Sequence, residues 1–127
     1  MLRLLDPATI RTLYVASLSF NRRVGQRLLE LIDAGKVGRC VFLSSAMFEG
    51  KERYLVDWLG KELAGRGSRL IVARNHCKLL LAETTDGRHI VMEGSQNLRT
   101  CSCFEQCTFH DSPDLYRWHR DFIERMG

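Results

Sequence analysis

The order of apolar and amphipathic segments constrains the fold of this chain more than any other feature. Short runs rich in β-branched and aromatic residues predict strands, and stretches whose apolar residues recur every three or four positions predict helices. The predicted strands are 12–20, 39–45 and 68–73, and the predicted helices between them are 21–35 and 50–67. Strands that alternate with helices pair in parallel through right-handed crossovers, so this part of the chain predicts a parallel sheet.

The rest of the chain predicts that the sheet is mixed. Residues 77–83 and 89–95 are two apolar strands joined by a turn at 84–88, which is typical of an antiparallel hairpin. A further strand is predicted at 103–110 and a closing helix at 112–126. The expected class is α/β: a three-layer sandwich in which a mixed, mostly parallel sheet is flanked by helices.

Length and composition predict a soluble globular protein. The chain has 127 residues, of which 45% are hydrophobic and 27% are charged, and we expect residues 1–127 to form one domain. No apolar run reaches the roughly 20 residues that span a bilayer. Residues 1–12 lack the long apolar region of a secretory signal. We therefore expect a cytoplasmic protein with no membrane partner.

Positive charge is concentrated in the first part of the chain. Residues 1–74 contain 13 Lys and Arg against 7 Asp and Glu, whereas residues 75–127 contain 6 against 8. This balance is compatible with a nucleic-acid partner, and equally with ordinary solvated surface. Arg22 and Arg23 follow the first predicted strand at the start of a helix. There they could bind a phosphate backbone, with solvated surface as the alternative.

Three cysteines near the end of the chain raise the question of a metal site. Cys101, Cys103 and Cys107 precede His110. The spacing contains no C-x-x-C pair, which is the usual chelating unit for zinc. We therefore expect no metal and no cofactor, and a Cys/His metal site in an unrelated α/β protein stays open as an alternative.

Polar residues at the ends of two neighbouring strands form the main candidate for a site. His76 and Lys78 stand two positions apart, and side chains two apart on a strand share a face. Ser95 and Asn97 stand two apart in the same way at the end of the next strand. An imidazole, an ammonium, a hydroxyl and a carboxamide together can bind a phosphate group and attack its phosphorus.

These residues resemble the signature of the phospholipase D superfamily, in which H-x-K on one strand is followed by G-S-x-N on the next. NHCK at 75–78 and GSQN at 94–97 match that signature position for position. The order of strands and helices also resembles one half-domain of the family. Two positions depart from the pattern: Glu83 stands at the family aspartate, and Cys103 stands at the asparagine two residues before Glu105.

The resemblance implies a metal-independent phosphodiesterase that acts on DNA or RNA through a phosphohistidine formed on His76. It implies that Lys78 and Asn97 stabilise charge on the phosphate oxygens, and that Glu105 orients an imidazole. The mechanism needs two histidines, and this chain contains a single H-x-K, so we expect a homodimer whose site is shared by two copies. The candidate catalytic residues are His76, Lys78, Glu83, Ser95, Asn97 and Glu105.

Two alternatives stay open at this point. The departures at Glu83 and Cys103 are compatible with a catalytically degenerate nucleic-acid-binding protein, for example a phage or prophage accessory protein. In a monomeric enzyme His110 or His119 are the candidates for the second acid, although packing is the simpler expectation for His119. His89 begins an apolar strand and is expected to be structural.

Overall fold

The computed structural model describes residues 9–17, 20–46, 52–73, 78–93 and 108–126. Within these ranges the chain forms six strands and three helices. In chain order they are β1 (Ile10–Ser17), α1 (Arg22–Asp33), β2 (Val37–Ser45), α2 (Arg53–Ala64), β3 (Arg69–Ala73), β4 (Leu79–Thr84), β5 (His89–Glu93), β6 (Thr108–Asp111) and α3 (Pro113–Met126).

The six strands form one mixed sheet in the order β3-β2-β1-β4-β5-β6. Parallel pairing is confined to β1, β2 and β3, and β4, β5 and β6 are joined by antiparallel pairing. The two parts meet where β1 pairs with β4 in the antiparallel sense. The predicted α/β class is confirmed, since a mixed sheet is flanked by helices on both sides. The expectation that the sheet is mostly parallel is wrong, because three of the five pairings between described strands are antiparallel.

Glycines end the first two helices close to the predicted positions. Gly35 has φ of 76° and Gly67 has φ of 71°, a left-handed conformation that glycine adopts without strain. At the start of α1 the Asn21 side chain accepts a hydrogen bond of 2.9 Å from the Val24 backbone N–H. The predicted strand at 103–110 is described only from Thr108 onward, and residues 103–107 lie outside the described ranges.

Side chains alternate between the two faces of the sheet and form a core on each side. The face covered by α1 and α2 is called the α1/α2 face, and the face covered by α3 is called the α3 face. The sheet buries Leu13, Val15, Phe42, Leu80, Ala82, Ile90 and Met92 on the α1/α2 face. It buries Tyr14, Ala16, Val41, Leu43, Leu79, Leu81 and Val91 on the α3 face. The period of two confirms that these segments are strands with both sides covered.

Helix α3 crosses its face of the sheet and is tied to the far strands by one carboxylate. Arg69 Nη2 donates a hydrogen bond of 2.5 Å to Glu124 Oε2, and Arg39 Nη2 lies 3.9 Å from Glu124 Oε1. Burial raises the pKa of the neighbouring Tyr14 phenol, and the negative charge of Glu124 raises it further. These contacts join the last helix to β1, β2 and β3, which come early in the chain.

We predict that Gly38→Ala destabilises the fold by about 1–3 kcal/mol, because the new methyl group would collide with rigid backbone. A Cβ at this position would lie 2.7 Å from the carbonyl oxygen of Arg11 on the neighbouring strand. Urea unfolding followed by circular dichroism measures the loss.

Gly60→Ala is the matched control. A Cβ there would meet Leu70 Cβ at 3.8 Å, an ordinary contact, in the middle of α2. The substitution should leave stability unchanged or raise it by about 0.5–1 kcal/mol, because alanine favours the helix. If Gly38→Ala proved as stable as Gly60→Ala, close packing of β1 on β2 at Gly38 would not be needed for stability.

Candidate functional site

Lys78 lies at the edge of the sheet where the parallel strands end. Ala16 near the end of β1 pairs with Leu79 at the start of β4, so Lys78 lies beside Ser17. Helix α1 begins a few residues later in the chain, at Arg22. We call this edge, which holds the ends of β1, β2, β3 and β5 and the start of β4, the upper edge. Ligand sites in open α/β sheets collect where parallel strands end.

Lys78 is half-buried and belongs to the α1/α2 face. It precedes Leu79, which packs on the α3 face, and adjacent residues of a strand point to opposite sides. Within the described ranges no carboxylate forms an ion pair with its ammonium group. A lysine held in this way at a strand end can bind an anionic group.

Four of the predicted site residues lie outside the described residues: His76, Ser95, Asn97 and Glu105. The structure describes the strands next to them. Strand β5 ends at Glu93, which pairs with Leu79 at the start of β4. The strands that flank the H-x-K and G-S-x-N segments therefore begin and end at the upper edge, and the proximity of His76, Ser95 and Asn97 to Lys78 stays a prediction.

Three serines that the sequence reasoning missed are buried at the upper edge. Ser17, Ser44 and Ser45 are exposed by only 1%, 0% and 1%, and Ser17 pairs with Ser44 across β1 and β2. Burying a hydroxyl costs free energy unless it is hydrogen-bonded, so hydroxyls concentrated at strand ends mark a polar part of the core. The signal in the sequence was a serine at the end of each of two apolar runs, YVAS and VFLSS.

Glu83 lies at the opposite end of β4 from Lys78. They are five positions apart in the sequence, which corresponds to roughly 16 Å along a strand. The odd separation also puts their side chains on opposite faces. Any contribution of Glu83 to chemistry at Lys78 is therefore indirect, because the structure does not bring the two groups together.

Glu83 instead contacts His89 across the β4–β5 hairpin. His89 Nε2 lies 3.2 Å from Glu83 Oε2, and the imidazole packs edge-on against the Tyr116 ring of α3 at 5.2 Å between centroids. His89 is half-buried in this arrangement, as expected for a structural histidine. The extra methylene of glutamate over aspartate lengthens the reach of the carboxylate toward the imidazole.

Arg22 and Arg23 lie at the start of α1 and are both exposed. The guanidinium carbon of Arg22 lies 4.3 Å from the ring centroid of Trp58 on α2, a cation–π contact. The first turn of α1 contains no acidic residue. Because α1 follows the end of β1, both arginines lie near the same edge as Lys78.

The sheet separates His119 from Lys78. His119 Nε2 lies 3.5 Å from Glu93 Oε1, which is within ion-pair distance. The geometry is not that of a hydrogen bond, and this buried nitrogen has no hydrogen-bond partner among the described residues. The ring also meets Trp118 edge-on at 4.8 Å. His119 thus packs on the α3 face, whereas Lys78 faces α1 and α2. His110 is exposed on β6.

The described residues offer neither a metal centre nor a membrane span. Among them no three His, Cys, Asp or Glu side chains are grouped so that they could hold a metal ion. Cys101, Cys103 and Cys107 lie outside the described ranges. Burial raises the pKa of the Cys40 thiol to about 12, so Cys40 is not a thiolate near neutral pH. No helix in the described ranges is long and apolar enough to cross a membrane.

Comparison with solved structures identifies the fold as phospholipase D-like. The structure is similar to that of a phospholipase D family member, Nuc from Salmonella typhimurium, with a TM-score of 0.65. The match covers 98% of this chain and 84% of that chain at 14% sequence identity, so the likeness concerns the fold. Searches with the sequence found no matching protein-family model and no matching curated protein.

We predict that Glu83 and His89 stabilise the fold as a pair. A double-mutant cycle of Glu83→Ala and His89→Ala should give a coupling free energy of about 1 kcal/mol near neutral pH, as measured by urea unfolding. Both side chains are half-buried, so solvent screens part of the attraction. The matched cycle of Glu83→Ala with Asp57→Ala, on a helix of the opposite face, should give no coupling. A Glu83–His89 coupling near zero would contradict the contact.

Proposed function

We propose that this chain is a metal-independent phosphodiesterase of the phospholipase D type that hydrolyses nucleic acid. The proposal is supported by the agreement of two separate observations. The H-x-K and G-S-x-N segments resemble the signature of that superfamily, and the fold is similar to that of one of its members. Lys78, the described member of the signature, lies at the edge where the flanking strands begin and end.

In the proposed reaction an unprotonated ring nitrogen of His76 attacks the phosphorus of the phosphodiester. The bond from phosphorus to the leaving oxygen breaks, and a second imidazole donates a proton to that oxygen. The same imidazole then removes a proton from water, which attacks the phosphohistidine and releases His76. Lys78 and Asn97 stabilise the charge on the phosphate oxygens, with Ser95 as a further hydrogen-bonding group, and Glu105 orients an imidazole.

The second imidazole is proposed to be His76 of a second copy of the chain. The chain contains a single H-x-K. His119 lies across the sheet from Lys78 and beside Glu93, which makes it a poor source of the second proton. A twofold axis that passes through the site would bring two H-x-K segments to one phosphorus.

The departure from the signature at Glu83 is compatible with activity. Its carboxylate contacts His89 at the end of β4 remote from Lys78, so the longer side chain does not by itself disturb the proposed phosphate site. Nucleic acid is the proposed substrate because the chain is basic, with a net charge of +4, and Arg22 and Arg23 add exposed positive charge near Lys78.

We predict that the protein hydrolyses a generic phosphodiester, and DNA or RNA, in the presence of excess chelator. His76→Ala should abolish the activity because it removes the nucleophile. Lys78→Ala should lower it about a hundredfold or more, because a charge that stabilises the transition state is lost. Rates of product release for each purified variant measure these effects.

Lys36→Ala is the matched control for Lys78→Ala, since Lys36 is exposed at the turn after α1 and its loss should leave the rate unchanged. Salt-sensitive binding without turnover would contradict the enzyme and favour the degenerate nucleic-acid-binding protein. Activity that disappears with chelator would point to a metal site instead.

We predict a quadratic dependence on subunit composition if the site is shared. When wild-type chains are mixed with His76→Ala chains and allowed to exchange, activity should fall with the square of the wild-type fraction. At equal amounts a shared site leaves about a quarter of the activity, whereas independent sites leave about half. A linear dependence would contradict the shared site while leaving hydrolysis itself possible.

A further inference from the structure

Arginines occupy the helix position where the helix dipole disfavours them. The N-terminus of α1 carries a partial positive charge, which disfavours cations in the first turn. Arg22 and Arg23 stand in that turn without an acidic neighbour. Within the described residues neither arginine forms an ion pair, and the Arg22 guanidinium lies over the Trp58 ring. The helix dipole does not favour arginines here, and without an acidic partner their positive charge is available to an external anion.

An exposed aromatic ring lies beside this contact. Tyr54 is 67% exposed, and in the described structure its ring contacts no other aromatic ring or cation. It stands four residues before Trp58 on α2, which puts both side chains on the same side of that helix. A single exposed tyrosine is ordinary on a protein surface, so Tyr54 matters here because of its position near the Arg22–Trp58 contact.

The position of Trp58 is determined by packing between α1 and α2. A Cβ at Gly25 of α1 would lie 2.7 Å from Trp58 Cζ3, so the indole occupies the space that glycine leaves open. The Arg22 guanidinium lies over the same indole. Packing thus holds one planar cation and one aromatic ring in place at the contact between the two helices, next to the exposed Tyr54.

Tyr54 and the Arg22–Trp58 contact lie near the upper edge, where the catalytic site is proposed. Helices α1 and α2 follow β1 and β2, so their first turns begin near the upper edge. Lys78 starts β4 beside the end of β1 on the same face of the sheet. A chain of nucleotides bound at Lys78 could therefore extend over the first turns of α1 and α2.

We propose that Tyr54 and the Arg22–Trp58 pair form a stacking surface for single-stranded nucleic acid. This surface leads to the upper edge and its proposed catalytic site. The exposed Tyr54 ring and two arginines without an acidic partner suit unstacked bases joined by phosphates. Bases in a duplex are stacked on one another and cannot offer their faces, so the same surface disfavours duplex. The choice of nucleic acid as the ligand rests on the proposed function. The binding itself can be measured separately, without hydrolysis.

A second exposed aromatic residue provides a contrast. Trp118 is 64% exposed on α3, on the opposite face of the sheet. It stacks in parallel with Phe122, at 6.5 Å between centroids. The arginines around it are paired with acids, Arg117 with Asp114 and Arg120 with Asp121. Trp118 therefore matches Tyr54 in exposure but lacks unpaired positive charge, and it serves as the control.

The test measures binding of labelled single-stranded oligonucleotides, oligo(dT) and oligo(rU), by fluorescence anisotropy with the His76→Ala protein, so that turnover cannot consume the ligand. Tyr54→Ala in that background should raise Kd about tenfold or more, since stacking on one aromatic side chain contributes roughly 1–3 kcal/mol per base. Tyr54→Phe should bind as the parent does, because it keeps the ring. Arg22→Ala should also weaken binding, and Trp118→Ala should not.

Duplex DNA of the same length is measured beside the single strands, and its affinity should be lower and insensitive to Tyr54→Ala. The inference would be overturned by any of three results: Tyr54→Ala leaves the affinity for single strands unchanged, Tyr54→Ala lowers the affinity for duplex as much as for single strands, or neither oligonucleotide binds. Hydrolysis of a small generic phosphodiester by Trp118→Ala in the otherwise wild-type protein should match the wild-type rate, because Trp118 lies on the opposite face of the sheet. Failure of hydrolysis in the wild-type protein would contradict the proposed function, while Tyr54-dependent binding would still support the stacking surface.

Discussion

The antiparallel pairing of β1 with β4 is the interaction on which the rest of the structure depends. It joins the parallel strands to the hairpin, and its register opposes Leu13 to Ala82 and Val15 to Leu80. All four of these residues are buried, so a slip by one residue would exchange side chains between the two cores and disrupt the packing of both. The same register puts Lys78 beside the end of β1. The position of the candidate site therefore follows from core packing.

Ion pairs lie on both faces of the sheet, and on the α1/α2 face Arg66 is paired with Asp33 and Glu62. Two cations near the upper edge differ from these. On the α3 face charged groups are paired: Glu124 ties α3 to Arg69, and Glu83 contacts His89. On the α1/α2 face, near the upper edge, Lys78 and Arg23 have no acidic partner among the described residues. Paired groups stabilise a fold, whereas unpaired cations at a strand or helix end are available to an anion. Lys78 and Arg23 are therefore the described cations that the proposed phosphate site would use.

Much of the fold could be predicted because the signals are local. Apolar runs with a period of two or of 3.6 identified β1 to β5 and the three helices, and Asn21 and Gly35 marked the ends of α1. The boundaries shifted by a few residues, as at β1, which was predicted at 12–20 and spans Ile10–Ser17. The sequence continues with apolar residues after Ser17, which forms the last pair of β1 with β2. Pairing with neighbouring strands, and not the apolar pattern, decides where a strand ends.

The candidate site was predictable only in part. The spacing of Lys78 from the start of β4 located it at a strand end, because a strand's geometry is regular. Glu83 is a candidate because of its place in a linear motif, yet the structure puts it at the end of β4 remote from Lys78, in contact with His89. Ser17 and Ser44 fall inside the predicted strands, but their burial could not be predicted, because a serine in a strand can face water and only the packed sheet shows that these two are covered.

By itself the sequence determined the type and order of the elements, the two-residue spacings of the H-x-K and G-S-x-N segments, and the excess of positive charge. Periodicity and spacing are properties of neighbouring residues, so they can be seen without a fold. Only the tertiary structure decided that Lys78 lies beside the end of β1, that Arg22 meets Trp58, and that Glu83 meets His89. Those contacts depend on strand register and on how helices pack over the sheet, which bring together residues from separate elements.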